Sequence, residues 1–467
     1  MKTISTVLFV SLLASFGLAQ QRWTKTYGGP GDDEAAFVQQ TTDGGYIVAG
    51  EASSFGAGAR DVWLVKTDSS GDTLWTRTCG GASDDEACAV EQTSDGYIIA
   101  GYTISFGAGQ KDVYLVKTNT SGDTLWTRTY GGGSPDCGNS VRQTSDGGYI
   151  VAGYTYSFGA GQGDAYLIKT NALGDTLWTR TYGGATDDWA NYVLQTPDSG
   201  YIITGCSGYH GARGGDVWLI KTNARGDTLW TRTFGGDSLD VGCTVQPTSD
   251  GGYIIAGGTR SFGRGGLDIY LIKTNASGDT LWTRTYGGTA DDGGSGAVQT
   301  NDGGYTIAGY TYSFGAGQSD VYLIRTDSSG DTLWTRTYGD TGDDGASSVE
   351  RTSDGGCIVA GYTSSFGAGS YDFYLIKADA NGYAGVAEPA VSREQNAATR
   401  MVAVPNPFVS SARIPGHDGE QFEVYDASGK MVGTYRGNRI GEGLLPAVYF
   451  IKPCDAHGGS LRVVKAR

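Results

Sequence analysis

Short apolar runs alternate with turn signals along most of the chain. In the first repeat the runs occupy Trp23–Tyr27, Phe37–Thr41, Tyr46–Gly50 and Val62–Thr67, and each contains aromatic or β-branched residues. Thr42–Gly45 separates the second and third runs and carries an Asp-Gly-Gly signal that is typical of a tight hairpin. No helical period is sustained over these segments. The pattern therefore predicts four short antiparallel strands in each repeat.

The four-run unit recurs at a fixed spacing. A tryptophan marks the same place in each unit, at intervals of 51 or 52 residues: Trp23, Trp75, Trp126, Trp178, Trp230, Trp282 and Trp334. A period of this length is typical of solenoids, propellers and arrays. Four antiparallel strands per unit favour the blade of a β-propeller. We predict an all-β, seven-bladed propeller of four-stranded blades over residues 20–381, with the tryptophans packed between blades.

The first repeat is incomplete, and this predicts how the ring closes. The chain enters on an outer-strand sequence, Trp23–Tyr27, and leaves the last repeat after its third strand, Phe373–Lys377. Pairing of these two segments would complete the seventh blade and remove two exposed edges. Small residues such as Ala35 and Ala36 place the run Phe37–Thr41, and its equivalent in each repeat, nearest the central channel.

One aspartate falls ten residues after each tryptophan: Asp33, Asp85, Asp136, Asp188, Asp240, Asp292 and Asp344. A short carboxylate can accept backbone N–H groups in a glycine-rich turn, so we expect these residues to be structural. The alternative is Ca²⁺ held by acidic loops such as Gly31–Glu34 or Asp340–Gly345. The spacing does not match an EF-hand, and we therefore expect no metal site and no cofactor.

A ligand site in a symmetric ring requires residues that break the symmetry. Most loops after the second strand contain Ser-Phe-Gly-Ala-Gly, but the fourth and fifth repeats depart from it. The candidate ligand-binding residues are Trp189, Tyr209, His210, Arg213, Arg260 and Arg264. Aromatic faces with arginine donors suit a glycan or an anionic group. Drift in a tolerant loop would explain the same sequence.

Both ends of the chain differ from the repeats. Residues 1–19 have a charged start, a short apolar run and small residues before Ala19, which predicts a cleaved signal peptide. No other run is long and apolar enough to predict a membrane span. Residues 382–402 are predicted to be a linker, and the short alternating runs of residues 403–467 predict a small Ig-like β-sandwich.

The seven cysteines do not recur at equivalent places in the repeats: Cys79, Cys88, Cys137, Cys206, Cys243, Cys357 and Cys454. We interpret them as buried thiols that fill apolar slots. A bridge between Cys79 and Cys88 stays open as an alternative.

Composition narrows the classes of function. The 467 residues carry a net charge of −16, which argues against nucleic acid and anionic membranes and is compatible with cations or neutral ligands. There are only three histidines and none of the common catalytic motifs, so we predict no catalytic residues. Carboxylates are abundant, and a carbohydrate-active enzyme, a glycosidase or lyase, is the alternative.

Two resemblances complete the interpretation. The pattern D-x-Y-L-I-K-T, G-D-T-L-W, Y-G-G and D-G-G-Y-I-V-A-G-Y-T over residues 21–385 resembles a bacterial family of secreted and surface β-propeller repeats. The motifs P-N-P-F, V-Y-D-A-S-G-K and V-Y-F-I, with Lys465 and Arg467 at the end, resemble the C-terminal sorting domain of the type IX secretion system. The second likeness implies that the secretion machinery recognises residues 403–467 and delivers the protein outside the cell or to its outer surface. We expect a monomeric, non-enzymatic binding, adhesion or scaffold module, with a glycan or surface protein as ligand.

Overall fold

The structure is a computed structural model that describes residues 22–208 and 214–385, together with strand segments nearer the C-terminus. Those segments are residues 412–413, 421–426, 430–436, 439–440, 447–453 and 461–465. The chain divides into two compact units, Met1–Ala390 and Val391–Arg467. The predicted signal peptide and most of the predicted linker lie outside the described residues.

The first unit is a ring of seven four-stranded antiparallel blades, as predicted, and its described residues contain no helix. The first described strand is β1 (Trp23–Tyr27). Blade 1 contains β2 (Asp33–Gln40), β3 (Tyr46–Ala52), β4 (Asp61–Thr67) and β5 (Thr73–Cys79), and blade 2 contains β6 (Asp85–Thr93), β7 (Gly96–Thr103), β8 (Asp112–Asn119) and β9 (Thr124–Tyr130). Blade 3 contains β10 (Asp136–Gln143), β11 (Tyr149–Thr155), β12 (Asp164–Thr170) and β13 (Thr176–Tyr182).

Blades 4 to 7 follow the same order. Blade 4 contains β14 (Asp188–Gln195), β15 (Tyr201–Ser207), β16 (Asp216–Thr222) and β17 (Thr228–Phe234), and blade 5 contains β18 (Asp240–Pro247), β19 (Tyr253–Thr259), β20 (Asp268–Thr274) and β21 (Thr280–Tyr286). Blade 6 contains β22 (Asp292–Gln299), β23 (Tyr305–Thr311), β24 (Asp320–Thr326) and β25 (Thr332–Tyr338). Blade 7 contains β26 (Asp344–Arg351), β27 (Cys357–Thr363) and β28 (Asp372–Ala378), and β1 completes it.

The ring closes between the two ends of the repeat region. β1 pairs antiparallel with β28, and the register places Trp23 opposite Lys377 and Tyr27 opposite Phe373. The first strands of successive blades contact one another, and β26 of blade 7 contacts β2 of blade 1. The pairing predicted from the incomplete first repeat is therefore present.

The first strand of each blade starts earlier than its apolar run suggested. β2 begins at Asp33 rather than Phe37, because the register of β2 against β3 shifts between Ala35 and Phe37 and leaves Ala36 as a bulge. The repeated glycine of the second strand accommodates this bulge. A Cβ atom on Gly50 would lie 2.0 Å from the carbonyl oxygen of Glu34, so only glycine fits there.

The blades are held together by a repeated aromatic contact near the rim. Trp23 of blade 7 packs edge-on against Tyr46 of blade 1, with ring centroids 5.7 Å apart, and Trp75 packs against Tyr97 in the same way at 5.8 Å. The equivalent pairs at the next four boundaries are Trp126–Tyr149, Trp178–Tyr201, Trp230–Tyr253 and Trp282–Tyr305. The tryptophans thus lie between blades, because each blade must cover the apolar face of its neighbour.

A buried cation secures the hairpin of each blade. Lys66 is almost fully buried, and its Nζ lies 2.9 Å from a carboxylate oxygen of Asp43 in the hairpin between β2 and β3. The equivalent ion pairs are Lys117–Asp95, Lys169–Asp146, Lys221–Asp198, Lys273–Asp250, Arg325–Asp302 and Lys377–Asp354. The repeated basic residue therefore has a structural partner in all seven blades.

The alternative of a Cys79–Cys88 bridge is wrong. Cys79 ends the outermost strand of blade 1 and contacts the hydroxyl of Thr124, whereas Cys88 lies on the innermost strand of blade 2. Both are free thiols. Sequence neighbours are separated here because the chain crosses from the rim to the channel between consecutive blades.

The second unit contains β29 (Ala412–Arg413), β30 (Gln421–Asp426), β31 (Met431–Arg436), β32 (Arg439–Ile440), β33 (Ala447–Pro453) and β34 (Leu461–Lys465). Four of these strands form an antiparallel sheet in the order β31–β30–β33–β34, and β29 pairs with β32. Short antiparallel strands were expected here, and the Ig-like class stays a prediction. Across the described parts of both units, no helix has the length and apolar character needed to cross a bilayer.

Candidate functional site

The repeated aspartates are engaged within their own blades. Oδ2 of Asp33 accepts the backbone N–H of Gly29 at 2.8 Å, and Oδ1 accepts that of Ser54 at 3.2 Å. The other six accept the equivalent turn N–H: Asp85 from Gly81, Asp136 from Gly132, Asp188 from Gly184, Asp240 from Gly236, Asp292 from Gly288 and Asp344 from Asp340. Within the described chain, no group of three or more His, Cys, Asp or Glu side chains is arranged to hold a metal ion.

The predicted ligand-binding residues are only partly described. Trp189, the second residue of β14, packs on Tyr154 of blade 3 with ring centroids 5.6 Å apart. Arg260 pairs with Asp291 of blade 6 at 3.1 Å. The side chains of Trp189 and Arg260 therefore face different blades. The backbone N–H of Arg264 donates to Asp268 at 2.9 Å. Tyr209, His210 and Arg213 lie outside the described residues, and the convergence of the whole set stays a prediction.

A cavity of about 1050 Å³ lies in the central channel, and sequence reasoning missed it. First strands from every blade contribute to its wall. The bulge directs one residue of each blade toward the cavity: Ala36, Cys88, Asn139, Asn191, Cys243, Ser295 and Ser347. Ala, Cys, Asn and Ser share these seven positions, whereas the outer strand of the repeat is nearly constant.

A cluster of side chains from different blades crosses one side of the channel. The guanidinium of Arg142 lies 5.3 Å from the ring of Phe37 in blade 1 and 4.7 Å from the ring of Tyr192 in blade 4. Arg142 also donates to the hydroxyl of Tyr192, and Gln246 donates to the same hydroxyl at 3.0 Å. Cation–π contacts and hydrogen bonds therefore fix side chains from four blades at one level of the channel.

Two half-buried carboxyl groups accompany this arginine. Glu350 accepts the backbone N–H of Gln40 at 2.6 Å, and Glu91 accepts that of Gln143. Burial raises the pKa of Glu350 to about 7, although Gln40 and Arg142 act in the opposite direction. Burial also raises the pKa of Glu91. The charge of Arg142 is thus matched by acidic groups of the channel wall rather than left for a ligand.

The rest of the cavity wall combines apolar side chains with polar side chains that are mostly uncharged. Blades 5 to 7 contribute hydroxyl groups from Thr244, Ser295 and Ser347. The amides of Asn139 and Asn191 donate to backbone carbonyls of the next blade, each at 3.0 Å, which keeps the inner strands together. Oγ1 of Thr244 is buried and makes no hydrogen bond with the described protein. Such a wall can bind neutral groups that both donate and accept hydrogen bonds.

A second group of carboxyls lies where blades 1 and 2 meet. Glu34 and Glu51 are directly opposite each other on β2 and β3, and Nη1 of Arg60 donates to Glu51 at 2.5 Å. Burial and, after it, the charge of Glu86 raise the pKa of Glu51 to about 7. Like charges directly opposite each other are destabilising. These residues belong to the same face as the Ser-Phe-Gly-Ala-Gly loops and not to the cavity wall.

The sequence does carry a signal for the channel wall. The seventh residue of each first strand is Gln39, Glu91, Arg142, Leu194, Gln246, Val298 and Glu350. Charge, size and polarity all change between repeats at this position, and the second and fifth residues of the strand vary as well. The variation between repeats therefore points to the innermost strands as well as to the loops.

No known protein-family model matches the chain. The regulatory protein FlaEY of Caulobacter vibrioides is 26% identical over 397 residues, covering 69% of this chain and 40% of that protein. This chain therefore spans about 40% of the length of that curated relative.

Among solved structures, PorZ of the type IX secretion system of Porphyromonas gingivalis is 12% identical and covers 94% of this chain and 60% of its own, with a TM-score of 0.44. A Bacteroides caccae protein of unknown function is 12% identical, covers 62% of this chain and 93% of its own, and has a TM-score of 0.38. The Pan2 WD40 domain of Neurospora crassa is 10% identical, and the match covers 79% of this chain and 99% of that domain, with a TM-score of 0.46. The propeller assignment rests on the strand pairing described above.

Proposed function

We propose that this protein is a secreted or cell-surface, non-enzymatic binding propeller whose ligand occupies the cavity of the central channel. One observation carries the proposal. The residues repeated in all seven blades hold turns, hairpins and blade boundaries, whereas the cavity wall is built from positions that differ between blades. In a symmetric ring only such positions can distinguish one ligand from another.

The ligand class that fits this wall is a neutral, polyhydroxylated molecule such as a short oligosaccharide. Thr244, Ser295 and Ser347 present hydroxyl groups beside apolar side chains of the same wall. The charge of Arg142 is already balanced by Glu91 and Glu350, and the chain as a whole is acidic. An anionic ligand would therefore gain little electrostatic stabilisation in this cavity. The cavity, at about 1050 Å³, is at the upper end of the usual range for small-molecule sites.

A carbohydrate-active enzyme is the second candidate, and Glu350 is the observation that favours it. Its pKa of about 7 would suit a general acid. Most glycoside hydrolases need a second carboxyl group flanking the bond to be cleaved. Glu350 is the only acidic residue among the described residues that line the cavity, and this supports binding without hydrolysis.

A cavity-filling variant tests the proposed site. Wild-type protein should bind one or more neutral oligosaccharides on a glycan array, and Ser347→Trp should weaken that binding at least about tenfold by occupying the cavity. Leu281→Trp, on the exposed outer strand of blade 5, is the matched control and should bind as wild type. Equal binding by Ser347→Trp would place the ligand elsewhere. Release of new reducing ends from the bound sugar would favour the enzyme instead.

The export route is a separate part of the proposal. Residues 1–19 would direct the chain out of the cytoplasm, and residues 403–467 would engage the secretion machinery, as their motifs suggest. A chain that ends at residue 402 should accumulate in the periplasm of a host with this secretion system, whereas the full chain should reach the medium or the cell surface. Equal surface delivery of both chains would contradict the role of residues 403–467.

A further inference from the structure

Cys357 stands where the other six blades carry a tyrosine. The equivalent residues are Tyr46, Tyr97, Tyr149, Tyr201, Tyr253 and Tyr305. At those six boundaries the tyrosine packs against the tryptophan of the preceding blade, with ring centroids 5.7–6.5 Å apart. At the boundary of blades 6 and 7, Trp334 faces the much smaller side chain of Cys357, which is itself buried.

A cavity of about 540 Å³ lies at this boundary, and we call it the blade 6–7 pocket. Its wall includes Trp334, Cys357, Arg325, Asp302 and Thr306. Loss of an aromatic ring from a packed boundary removes the atoms that would contact its neighbours, and the neighbouring blades have not moved together to refill the space. The pocket therefore has the place and the surroundings of a missing ring.

Two further departures from the repeat line the same pocket. Arg325 replaces the lysine found in the other six blades, and its guanidinium contacts both carboxylate oxygens of Asp302, at 2.5 and 2.6 Å. Thr306 replaces the isoleucine found in the other six blades. Three strands, β23, β24 and β27, thus each contribute one altered residue, and each alteration changes the chemistry of one wall.

The six intact boundaries show what the slot accepts. Tyr305 packs on Trp282, and burial and then the nearby hairpin carboxylate of Asp250 raise the pKa of its phenol to about 12. A ring in this slot therefore has an indole on one side and a hairpin ion pair near its hydroxyl. In the blade 6–7 pocket, Trp334 and the Arg325–Asp302 pair occupy the corresponding places.

We propose that the blade 6–7 pocket is a binding site for a phenolic ring that is not part of the propeller. The ring lies against Trp334 in place of the missing tyrosine, and its hydroxyl faces Arg325, Asp302 and Thr306. The face of Trp334 favours contact with a second aromatic ring, and the Arg325–Asp302 pair offers both a donor and an acceptor to a hydroxyl group. The phenolic group can belong to a small molecule or to a tyrosine side chain, since both present the same chemistry.

The test uses the full chain and two probes, phenol for a free ring and N-acetyl-L-tyrosinamide for a peptide-borne one. Saturable binding of at least one probe is expected by isothermal titration and by ligand-observed NMR. Cyclohexanol, which has a similar size but no aromatic face, should bind at least about tenfold more weakly. Binding of phenol identifies a small-molecule site, and binding of the tyrosinamide alone identifies a peptide site. Absence of saturation with both probes would overturn the proposal.

Variants locate the binding. Cys357→Tyr restores the repeat and fills the pocket, so it should abolish probe binding while retaining the native circular dichroism spectrum. Arg325→Lys combined with Thr306→Ile restores the other two walls and should weaken binding at least about tenfold even if Cys357→Tyr does not fold. Tyr305→Cys opens a matched cavity at the boundary of blades 5 and 6, where blade 5 keeps the usual lysine and isoleucine of the repeat. Unchanged binding in both repeat-restoring variants, or an equally strong second site created by Tyr305→Cys, would show that the pocket is not a specific site.

Discussion

Trp23 lies directly opposite Lys377 on neighbouring strands, although the two residues mark opposite ends of the propeller sequence. Deletion of residues 21–29 would remove this pairing and leave β28 as an unpaired edge. We expect a lower melting temperature and concentration-dependent association, measured by circular dichroism and by light scattering after size exclusion. Trp23→Ala keeps the strand and should cost about 2–4 kcal/mol without association, because Trp23 is only partly buried. A deletion variant as stable as the full chain would rule out a closing role.

The tyrosine that ends most outer strands ties each blade to the next. The hydroxyls of Tyr27, Tyr130, Tyr182 and Tyr286 each donate to a turn carbonyl of the following blade at 2.6 Å, for example from Tyr182 to Gly226. Blade 4 has Phe234 in this position, facing the turn that contains Gly278. Phe234→Tyr should therefore stabilise the protein by about 0.5–1.5 kcal/mol in urea unfolding, and Tyr182→Phe should destabilise it by a similar amount. Two changes of the same sign would contradict this account.

Glu350 makes the stability depend on pH in a defined window. Burial raises its folded-state pKa from 4.5 to about 7, so the native state holds this proton more tightly than the unfolded chain does. Its contribution to stability is fully present below pH 4.5 and is lost as the pH rises toward 7. Glu350→Gln should remove that loss and be more stable than wild type by about 1–3 kcal/mol at pH 8, with little difference at pH 4. If denaturant titrations gave the same stability difference between Glu350→Gln and wild type at pH 4 and at pH 8, the raised pKa of Glu350 would be excluded as the cause.

The hairpin ion pairs make the stability of the protein depend on pH in the acidic range. Hydrogen bonds from the Lys221 ammonium and from Thr196 lower the pKa of Asp198 to about 2. This group's contribution is present above its usual pKa and is lost as the pH falls from about 4 to 2. Asp198→Ala would also leave a buried ammonium without its carboxylate, and we expect a cost of about 1–2 kcal/mol at pH 7, discounted because Asp198 is exposed. Asp227→Ala, which removes the exposed partner of Arg180 on the outer surface, should change stability by much less.

The repeat made most of the fold predictable. Each tryptophan fixes an outer strand, and the hairpin signal after Gln40 fixes the turn to the second strand, so blade number, strand order and closure all follow from local patterns. The bulge at Ala36 did not follow, because one extra residue in a first strand leaves the apolar run after it unchanged. The carboxylate of Asp33 therefore lies at the start of a strand rather than in the turn before it.

The channel was harder to predict than the blades. Phe37, Arg142 and Tyr192 come from blades 1, 3 and 4, and they meet only because the ring brings all the innermost strands to one axis. Loop sequences drew attention to Trp189 and Arg260, whose described contacts are with Tyr154 and Asp291 on neighbouring blades. Local patterning specifies which residues face the channel, but contacts across the channel depend on the circumference of the closed ring.

The closing strand also has an evolutionary consequence. Because each sequence repeat begins with the outer strand of one blade and continues into the next, an in-frame duplication of one repeat length from within the propeller inserts a complete blade and leaves the junction of β1 and β28 untouched. Unchanged copies of Gly-Asp-Thr-Leu-Trp-Thr-Arg-Thr-Tyr-Gly-Gly are what such duplications produce. A wider ring would, however, move Phe37 away from Arg142 and Tyr192 and open the channel along its length. The gene can therefore change its number of blades easily, and the contact across the channel is what ties this sequence to seven.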